Sequence, residues 1–353
     1  MTADLTIPAD LDQITPEWLN GALRVSLPDA EVTGVDVLAR HAGTTGRARL
    51  GLTYAAGASG PATVFVKLPP FDADQRRLVA RTDMGRREAR FYAGPARDAP
   101  LRIPSAYYAA HGEPTEYVMV LEDLEASGCT FSNRLETHAE THGQDLVESL
   151  GRLHARFWNH PRFEDELSWI QPAMRGSYGA KLVAMARERF AGDLPPVFDE
   201  LCGLFIDNYE RIAEVWDEGE RTVIHGDTHA GNQFIDGDHV GLYDWAVISR
   251  SPGVRDLAIY LGNSCPAEVR RESEEPWLRR YREVLVESGV DAPDLGVLFD
   301  RYRRTVLYAW VAATTTAAMG SKWQPIEIGI AGMTRATECC ADLDTLEALR
   351  SAL

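Results

Sequence analysis

One stretch of sequence constrains the fold of this chain more than any other. The apolar residues Val223 and Ile224 lead into the polar sequence HGDTHAGN at 225–232, and a second short apolar segment ends at YDW, residues 243–245. Apolar stretches and polar turns of these lengths predict a strand, a polar loop, a short strand, a turn and another short strand. The polar side chains therefore lie at the joints between strands, where reactive groups are commonly held.

Three of these side chains have a spacing that suits phosphoryl transfer. Four residues separate Asp227 from Asn232, and Asp244 follows twelve positions after Asn232. When a phosphoryl group moves from Mg-ATP to a hydroxyl, one carboxylate accepts the hydroxyl proton, an amide oxygen holds the metal, and a second carboxylate bridges the metal and the phosphates. The protein-kinase catalytic loop has the same order and the same Asp-to-Asn spacing. A single Asp or Asn could merely cap a turn, but the full string favours a catalytic loop.

A strand lysine and a helix glutamate lie upstream of this loop. The apolar residues of the predicted strand 63–68 alternate onto one face, so Lys67 points toward the other face. Residues 75–92 predict one helix, which carries Glu88 about twenty positions after the lysine. Kinases use such a pair, in which the glutamate orients the lysine toward the α- and β-phosphates.

The sequence AGTTG at residues 42–46 predicts a turn between two strands. Around Gly43, Thr44 and Thr45, backbone N–H groups could approach the phosphates of a nucleotide closely. Most glycine-rich turns only reverse the chain, so this turn alone does not identify a nucleotide site. The P-loop sequence and the G-x-G-x-x-G fingerprint are both absent, and a P-loop fold is not indicated.

The combination of HGDTHAGN with a later YDWA resembles the aminoglycoside phosphotransferase and choline-kinase-like family of small-molecule kinases. The loop of that family reads close to HGDxHxxN and is followed by Asp-Trp or Asp-Phe. The sequences E-x-x-F-Y at 88–92 and E-D-L at 122–124 are similar to its broader ecdysteroid-kinase-like branch. Ala230 stands where the family often has Pro, and Ala246 where an acid often follows Asp-Trp; neither position bears a ligand.

The resemblance implies an α+β, two-lobed protein-kinase-like fold. Residues 1–124 would form an N-terminal nucleotide-binding lobe, with a small antiparallel sheet and one helix. Residues 125–353 would form a larger, mainly helical C-terminal lobe that carries the catalytic loop 225–232 and the metal-binding Asp244. On a helix expected from about 139 to 158, the sequence itself shows an apolar stripe with helical spacing: Leu146, Leu150, Leu153 and Phe157.

The resemblance also implies ATP and Mg²⁺ as cofactors and a small hydroxyl-bearing molecule as substrate. Asp227 would accept or orient the hydroxyl proton, while His225 would orient the loop. Asn232 and Asp244 would bind Mg²⁺, and Asp256 would brace the catalytic loop from below. The nucleotide site would comprise Lys67 on the phosphates with Glu88 holding Lys67, the turn of Gly43, Thr44 and Thr45, and the backbone around Leu121 and Asp123 at the hinge between the lobes, which would bind the adenine.

Composition bounds the partners of the chain. With 353 residues, 45% hydrophobic and 25% charged, it is long enough for about two domains with real cores. The net charge of -17 argues against a nucleic-acid surface, because phosphate backbones require patches of Lys and Arg. The charge is compatible with a cationic substrate, but it also simply keeps a protein in solution.

The cysteine pattern and the N-terminus favour a reducing cytoplasm. Five cysteines are scattered without a C-x-x-C pair, so neither a zinc site nor a disulfide framework is indicated. The N-terminal sequence MTADLTIPADLDQ lacks the apolar region of a signal peptide. No run of about 18 apolar residues occurs, so no membrane span is expected.

Two alternatives to a kinase remain at this point. His225, Asp227 and His229 form the pattern H-x-D-x-H, which metallohydrolases use for two-metal sites, and His138 and His142 could join such a cluster. A catalytically inactive kinase-like nucleotide-binding module is the other alternative. The sequence does not specify the acceptor, which could be an aminoglycoside, a macrolide, choline, a sugar, a steroid or a hydroxyacyl thioester, nor the oligomeric state or the choice of ATP over GTP.

Overall fold

The computed structural model describes residues 5–131, 139–173, 176–322 and 325–353. The chain divides into two compact units. The first unit comprises Met1–Thr130 together with Leu242–Ile248, and the second comprises Phe131–Gly241 and Ser249–Leu353. The short segment Leu242–Ile248, which contains the sequence YDWA, therefore belongs to a unit whose other residues lie more than a hundred positions earlier.

The longer strands lie in the first unit, whereas the longer helices lie in the second. In chain order the strands are β1 (Val32–His41), β2 (Gly46–Tyr54), β3 (Thr63–Leu68), β4 (Ala106–His111), β5 (Tyr117–Glu122), β6 (Thr130–Phe131), β7 (Thr222–Ile224), β8 (Gln233–Asp236), β9 (His239–Leu242) and β10 (Ser249–Ser251). The α-helices are α1 (Pro16–Leu23), α2 (Ala73–Ala80), α3 (Met84–Ala93), α4 (Ala139–Arg156), α5 (Ser177–Arg189), α6 (Pro196–Trp216), α7 (Val254–Ile259), α8 (Ala267–Glu287), α9 (Leu295–Ala318), α10 (Ile326–Asp342) and α11 (Thr345–Arg350). A π-helix, Tyr260–Ser264, directly continues α7.

Five antiparallel strands form the sheet of the first unit, in the order β1-β2-β3-β5-β4. Strand β3 lies in the middle of this sheet, with Arg47 of β2 opposite Lys67 and Leu121 of β5 opposite Phe65. Apolar residues of these strands pack with α1 in one core. Helix α1 begins where the hydroxyl of Thr15 accepts the N–H of Trp18 at 3.2 Å, which stabilises its first turn.

The predicted single helix over residues 75–92 is wrong, because two helices, α2 and α3, occupy this region. The helical conformation is interrupted just before α3 at Asp83, whose backbone is left-handed with φ of 58°. Such a conformation costs roughly 1–2 kcal/mol for a non-glycine residue. The carboxylate of Asp83 binds the guanidinium of Arg86 in the first turn of α3, with Nε–Oδ1 at 2.6 Å, and this contact offsets part of the cost. Apolar periodicity runs through the break and does not reveal it.

The second unit is mainly helical. Helix α9 packs against α10, and α4 packs against α8. Leu146, Leu150, Leu153 and Phe157 are fully buried, which confirms the predicted apolar stripe, although α4 ends at Arg156. Strand β7 pairs with β10, and β8 lies next to β9. The loop between β7 and β8 carries the sequence HGDTHAGN.

Two further features of the chain are the state of its cysteines and the apolar character of its helices. Each of the five cysteines is a buried free thiol. Within the part of the chain that the structure describes, no helix has both the length and the apolar character needed to cross a membrane.

Candidate active site

The loop 225–232 is anchored from beneath by one carboxylate. Asp256, which is fully buried in α7, accepts the backbone N–H of His225 through Oδ2 and that of Gly226 through Oδ1, both at 2.8 Å. Its own carbonyl oxygen accepts the hydroxyl of Thr228 at 2.6 Å. Three successive points of the loop are thus held by one residue, and hydrogen bonds to an ionised acceptor are the stronger kind.

Asp256 is in turn held by a histidine that sequence reasoning missed. His154 Nε2 lies 3.2 Å from Asp256 Oδ2, and its Nδ1 lies 2.8 Å from the hydroxyl of Tyr281. Gly253 leaves the room for this contact, since a Cβ there would clash with both the Tyr281 hydroxyl and the His154 ring. His154 directly follows Leu153, a member of the apolar stripe of α4. A polar side chain beside this stripe was the one sequence signal that could have pointed to His154.

Asp227 is the loop residue whose carboxylate is accessible. Its side chain is 38% exposed, and its Oδ2 lies 3.4 Å from His229 Nε2. The Asn232 amide donates to the Asp227 carbonyl oxygen at 2.9 Å and to Oδ2 at 3.1 Å. Burial alone would raise the pKa of Asp227, but His229, then His225 and the Asn232 amide, lower it below the ordinary 3.8. The carboxylate is therefore ionised near neutral pH.

The two histidines of the H-x-D-x-H pattern bind the backbone of their own loop. His225, which is fully buried, accepts the N–H of Asp227 through Nδ1 at 3.2 Å. His229 accepts the N–H of Gly231 in the same way at 3.0 Å. Each ring thus binds the backbone N–H of the residue two positions further along the chain. These histidines hold the loop in shape.

The same contacts leave the metallohydrolase alternative without support. Within the described ranges, no group of three or more His, Cys, Asp or Glu side chains is placed to hold a metal ion. That alternative also used His138 and His142. Of these two, His138 lies outside the described residues.

In the first unit, Lys67, Glu88 and Asp244 come together. Lys67 Nζ forms an ion pair with Glu88 Oε2 and lies 3.3 Å from Asp244 Oδ1. Lys67 and Glu88 are buried, whereas the Asp244 side chain is 36% exposed. Asp244 is the second residue after β9 and has a left-handed backbone, φ 65°.

Helix α3 positions both carboxylates that contact Lys67: Glu88 directly, and Asp244 through the stacking of Phe91 on Trp245. Its residue Glu88 faces Lys67, and one turn later Phe91 stacks on Trp245, with ring centroids 4.0 Å apart and planes 15° apart. Residues three apart on a helix lie on the same face. One face of α3 therefore positions the glutamate and also the segment that carries Asp244.

Burial and charge act against each other in this cluster. Burial, and to a smaller extent Asp244, raise the pKa of Glu88 from 4.5 to about 7, although Lys67 opposes the shift. Burial works to lower the pKa of Lys67, but the carboxylates of Asp244 and Glu88 raise it above 10.5. The lysine therefore keeps its charge in a buried position.

The turn of Gly43, Thr44 and Thr45 connects β1 and β2. Thr45 is buried, and Gly46 opens β2 where a Cβ would come within 2.7 Å of the Pro69 carbonyl oxygen. A Cβ at Gly43 would lie 2.8 Å from Nη2 of Arg47. The turn is therefore packed closely on the strand residues that follow it.

Leu121 lies near the end of β5 and Asp123 directly follows the strand, and both residues are buried. The carboxylate of Asp123 accepts the hydroxyl of Thr63 at 2.6 Å and pairs with Arg49. Its carbonyl oxygen accepts the N–H of Ser127 at 3.0 Å. The side chain of Asp123 thus fixes the course of the backbone, and only backbone groups of this segment are candidates for contact with a base.

A cleft of about 120 Å³ opens beside Asp227 in the second unit. Besides the loop 225–232, it is lined by small residues of α9, by one face of α10 that includes Arg335, and by Asn263 and Ser264 of the π-helix. The hydroxyl of Ser264 accepts the N–H of Ala230 at 2.8 Å, so the π-helix contacts the loop at one residue and lines the cleft at its neighbour. π-Helical turns are rare and frequent at functional sites. None of these π-helix and α10 residues stood out in the sequence.

A family model now connects this geometry to known proteins. The model describes the ecdysteroid kinase-like family and matches residues 43–291, which is more than half of the chain. The chain belongs to the ecdysteroid kinase-like family. The matched range of this ecdysteroid kinase-like protein includes Gly43, Lys67, Glu88 and the whole loop 225–232, and it agrees with the predicted branch.

Solved structures share the fold of this ecdysteroid kinase-like protein at low sequence identity. A Ralstonia eutropha protein provisionally described as an aminoglycoside phosphotransferase has a TM-score of 0.55 at 12% identity, over 92% of this chain and 97% of that one. Aminoglycoside 2'-phosphotransferase-IIIa, solved with GDP, has a TM-score of 0.50 at 13% identity, over 93% and 99%. Spectinomycin phosphotransferase, solved with ADP and spectinomycin, has a TM-score of 0.50 at 12% identity, over 94% and 99%. The predicted α+β, protein-kinase-like fold is confirmed. No curated protein sequence matches the chain.

Proposed function

We propose that this protein is an ATP- and Mg²⁺-dependent phosphotransferase that moves the γ-phosphoryl group of ATP to a hydroxyl of a small molecule. The observation that carries the proposal is the cluster of Lys67, Glu88 and Asp244. Burying the charges of Lys67 and Glu88 costs hydration free energy, and a bound phosphate would make use of the charge of the lysine. An inactive nucleotide-binding module would need the same lysine, so turnover distinguishes it from an enzyme, whereas a hydrolase mechanism does not use the cluster.

The nucleotide would be held by the first unit. Lys67 would bind the α- and β-phosphates, with Glu88 fixing its direction. Backbone groups around Leu121 and Asp123 would bind the adenine, and the turn around Thr44 would lie over the phosphates. Two phosphotransferases with the same fold were solved with GDP and with ADP, which supports a nucleotide as the ligand.

The donor set fits a magnesium ion. Mg²⁺ is bound through hard oxygen ligands, usually one or two carboxylates or amides together with phosphates and water. The Asn232 amide directs its nitrogen toward Asp227, so its oxygen points away from that residue. The carboxylate of Asp244 is partly exposed. When bound, Mg²⁺ would neutralise charge on the phosphates during transfer.

Asp227 would act mainly by orienting the acceptor. The acceptor oxygen forms a bond to the γ-phosphorus while the bond to the bridging oxygen breaks, ADP leaves with that electron pair, and the hydroxyl proton passes to Asp227. A carboxylate with a lowered pKa is a poor base toward an alcohol. The loose transition state of phosphoryl transfer needs little base strength, and positioning supplies most of the acceleration. His225, being fully buried, positions the loop and would not touch the acceptor.

A nucleotide titration followed by thermal unfolding tests the proposal. ATP with Mg²⁺ should raise the Tm of the wild type, because a ligand that binds only the native state stabilises it. Asp244→Ala should weaken the magnesium-dependent part of the shift. Asp227→Asn should keep the shift but lose at least about a hundredfold in ADP release with an acceptor. A wild type that shows no shift with Mg-ATP would rule the proposal out, and a shift with no turnover of any acceptor would favour the inactive module.

A further inference from the structure

The cleft beside Asp227 has a charge pattern that differs from the chain as a whole. The protein carries a net charge of -17. Among the described residues that line the cleft, Asp227 is the sole carboxylate, and Arg335 supplies a positive charge. A binding site for a polycationic acceptor would require acidic side chains here, because a cation that loses water needs compensating negative charge.

Arg335 is built into the cleft wall. It lies on α10 at positions seven and three after Ile328 and Gly332, so the three residues share one helix face. The glycine is required by the packing, since a Cβ at Gly332 would lie 2.6 Å from Asn263 Oδ1. Helix α10 therefore approaches the π-helix closely, and this brings a cationic and an amide side chain to the same cleft.

The surroundings of Arg335 favour an anionic partner. The side chain is half-buried, and loss of hydration lowers the pKa of its guanidinium. A guanidinium that has lost part of its hydration gains most from a planar carboxylate, which it can bind through two parallel hydrogen bonds. The small volume, about 120 Å³, limits the buried part of such an acceptor to a few atoms around the reacting hydroxyl.

We propose that the acceptor is a short hydroxy acid or a similar hydroxyl compound with an anionic group, with Arg335 binding the anion and Asn263 its neighbouring polar atoms. This inference rests on the proposed phosphotransferase function and specifies its substrate class. It excludes polyamine-like acceptors such as aminoglycosides, because Arg335 repels them and the described lining offers them only the carboxylate of Asp227.

Matched acceptors test this inference. ADP release would be measured with short hydroxy acids and with amino alcohols of equal chain length, for the wild type, Arg335→Gln and Arg335→Glu. Arg279→Glu, at an exposed position of α8 outside the cleft, is the control for charge reversal. The wild type should prefer hydroxy acids, and Arg335→Gln should lower kcat/KM for them by about ten- to a hundredfold. Arg335→Glu should turn the preference toward amino alcohols.

Three results would overturn it: a wild type that prefers amino alcohols, Arg335 variants that change both classes equally, or no turnover of any hydroxy acid. In the last case the Mg-ATP thermal shift of the same wild-type sample separates failure of the proposed substrate class from failure of the proposed function. If the shift is present and another hydroxyl compound is phosphorylated, only the substrate class is wrong; a shift with no turnover of any acceptor favours the inactive module. If the shift is absent, the proposed function fails.

A second inference concerns Arg47 of the first unit. Arg47 in β2 lies directly opposite Lys67 in β3, so the two side chains share one face of the sheet. Like charges at directly opposed positions destabilise a sheet. Lys67 is compensated by Glu88 and Asp244, whereas Arg47 has no hydrogen bond or ion pair with any residue that the structure describes, and its Nε is buried without a partner.

The guanidinium of Arg47 extends to the turn around Gly43, within 2.8 Å of where a Cβ would stand. We infer that Arg47 binds the nucleotide phosphates alongside Lys67, which also depends on the proposed function. A bound polyphosphate would supply the anion that Arg47 lacks.

Comparison of ATP with adenosine tests the second inference. Arg47→Gln should weaken Mg-ATP binding by about ten- to a hundredfold and leave adenosine binding unchanged, because only the phosphates are contacted. Arg47→Lys should restore part of the affinity, and the exposed Arg24→Gln should match the wild type. Equal Mg-ATP affinity in Arg47→Gln and wild type, or an equal loss for adenosine, would overturn the role of Arg47. Failure of the wild type itself to bind Mg-ATP would instead overturn the proposed function.

Discussion

His154 and Asp256 are 102 positions apart in the sequence, yet His154 Nε2 lies 3.2 Å from Asp256 Oδ2 in a fully buried pair. Through this pair, α4 and α7 together hold the base of the loop 225–232. Because Asp256 binds two backbone N–H groups of the loop, a substitution there acts on both stability and the site.

Asp256→Ala should therefore be strongly destabilising. It leaves two buried N–H groups without an acceptor, and each such loss costs about 1–3 kcal/mol. We expect a drop of about 2–5 kcal/mol in the free energy of unfolding, measured by urea denaturation. Asp199→Ala, at an exposed position of α6, removes a surface ion pair with Arg187 and should leave the unfolding midpoint nearly unchanged. Equal effects of the two substitutions would contradict the anchoring role of Asp256.

Gly253→Ala should loosen the same anchor from another side. The new Cβ would clash with the Tyr281 hydroxyl and the His154 ring, which cannot move without giving up their hydrogen bond. We expect a loss of about 1–3 kcal/mol in unfolding free energy. Gly203→Ala is the matched control, since it lies in α6 with open space around it and should be neutral or stabilising by up to about 1 kcal/mol. If Gly253→Ala behaves like Gly203→Ala, the packing around His154 is looser than described.

Phe91→Ala should strongly destabilise the first unit. It removes the stack on Trp245 and leaves a cavity, at a cost of about 3–5 kcal/mol. Phe91→Leu keeps an apolar side chain and should cost less than half as much in urea denaturation. Because Trp245 adjoins Asp244, we also expect Phe91→Ala to weaken the magnesium-dependent thermal shift. A normal shift in that variant would show that the position of Asp244 does not depend on the stack.

Glu88→Gln should change how stability depends on pH. The pKa of Glu88 is raised from 4.5 to about 7 in the folded chain, so between these pH values the folded state binds more protons than the unfolded state. Stability from this group is then present below about pH 4.5 and is lost as the pH rises toward 7. The difference in unfolding free energy, wild type minus Glu88→Gln, should fall across this window and stay level just above it. A difference that rises instead would mean that Lys67 keeps Glu88 ionised throughout.

The sequence revealed those parts of the site that depend on spacing along the chain. Asp227 and Asn232 are close because four residues of one loop separate them, and this is visible in the letters. Lys67 and Glu88 could be singled out because a strand and a nearby helix leave few other candidates. The family and the fold class followed from such local strings.

What the sequence did not reveal depends on contacts between distant segments or on local backbone geometry. His154, Tyr281 and Arg335 reach their positions only through helix packing, and no spacing rule connects them to the loop. The break at Asp83 depends on one left-handed residue inside a continuous helical pattern. The π-helix differs from an α-helix by a single hydrogen-bond register, which side-chain periodicity over five residues does not show.

The placement of Leu242–Ile248 in the first unit has a consequence for biosynthesis. Residues up to Thr130 leave the ribosome first, but Phe91 then lacks its stacking partner and Lys67 lacks one of its carboxylates. The first unit can complete its core only after more than a hundred further residues have been made and the returning segment has been delivered. Until then the exposed face of α3 is an aggregation-prone surface, so the nascent chain should depend on chaperones or on slow early folding during that interval.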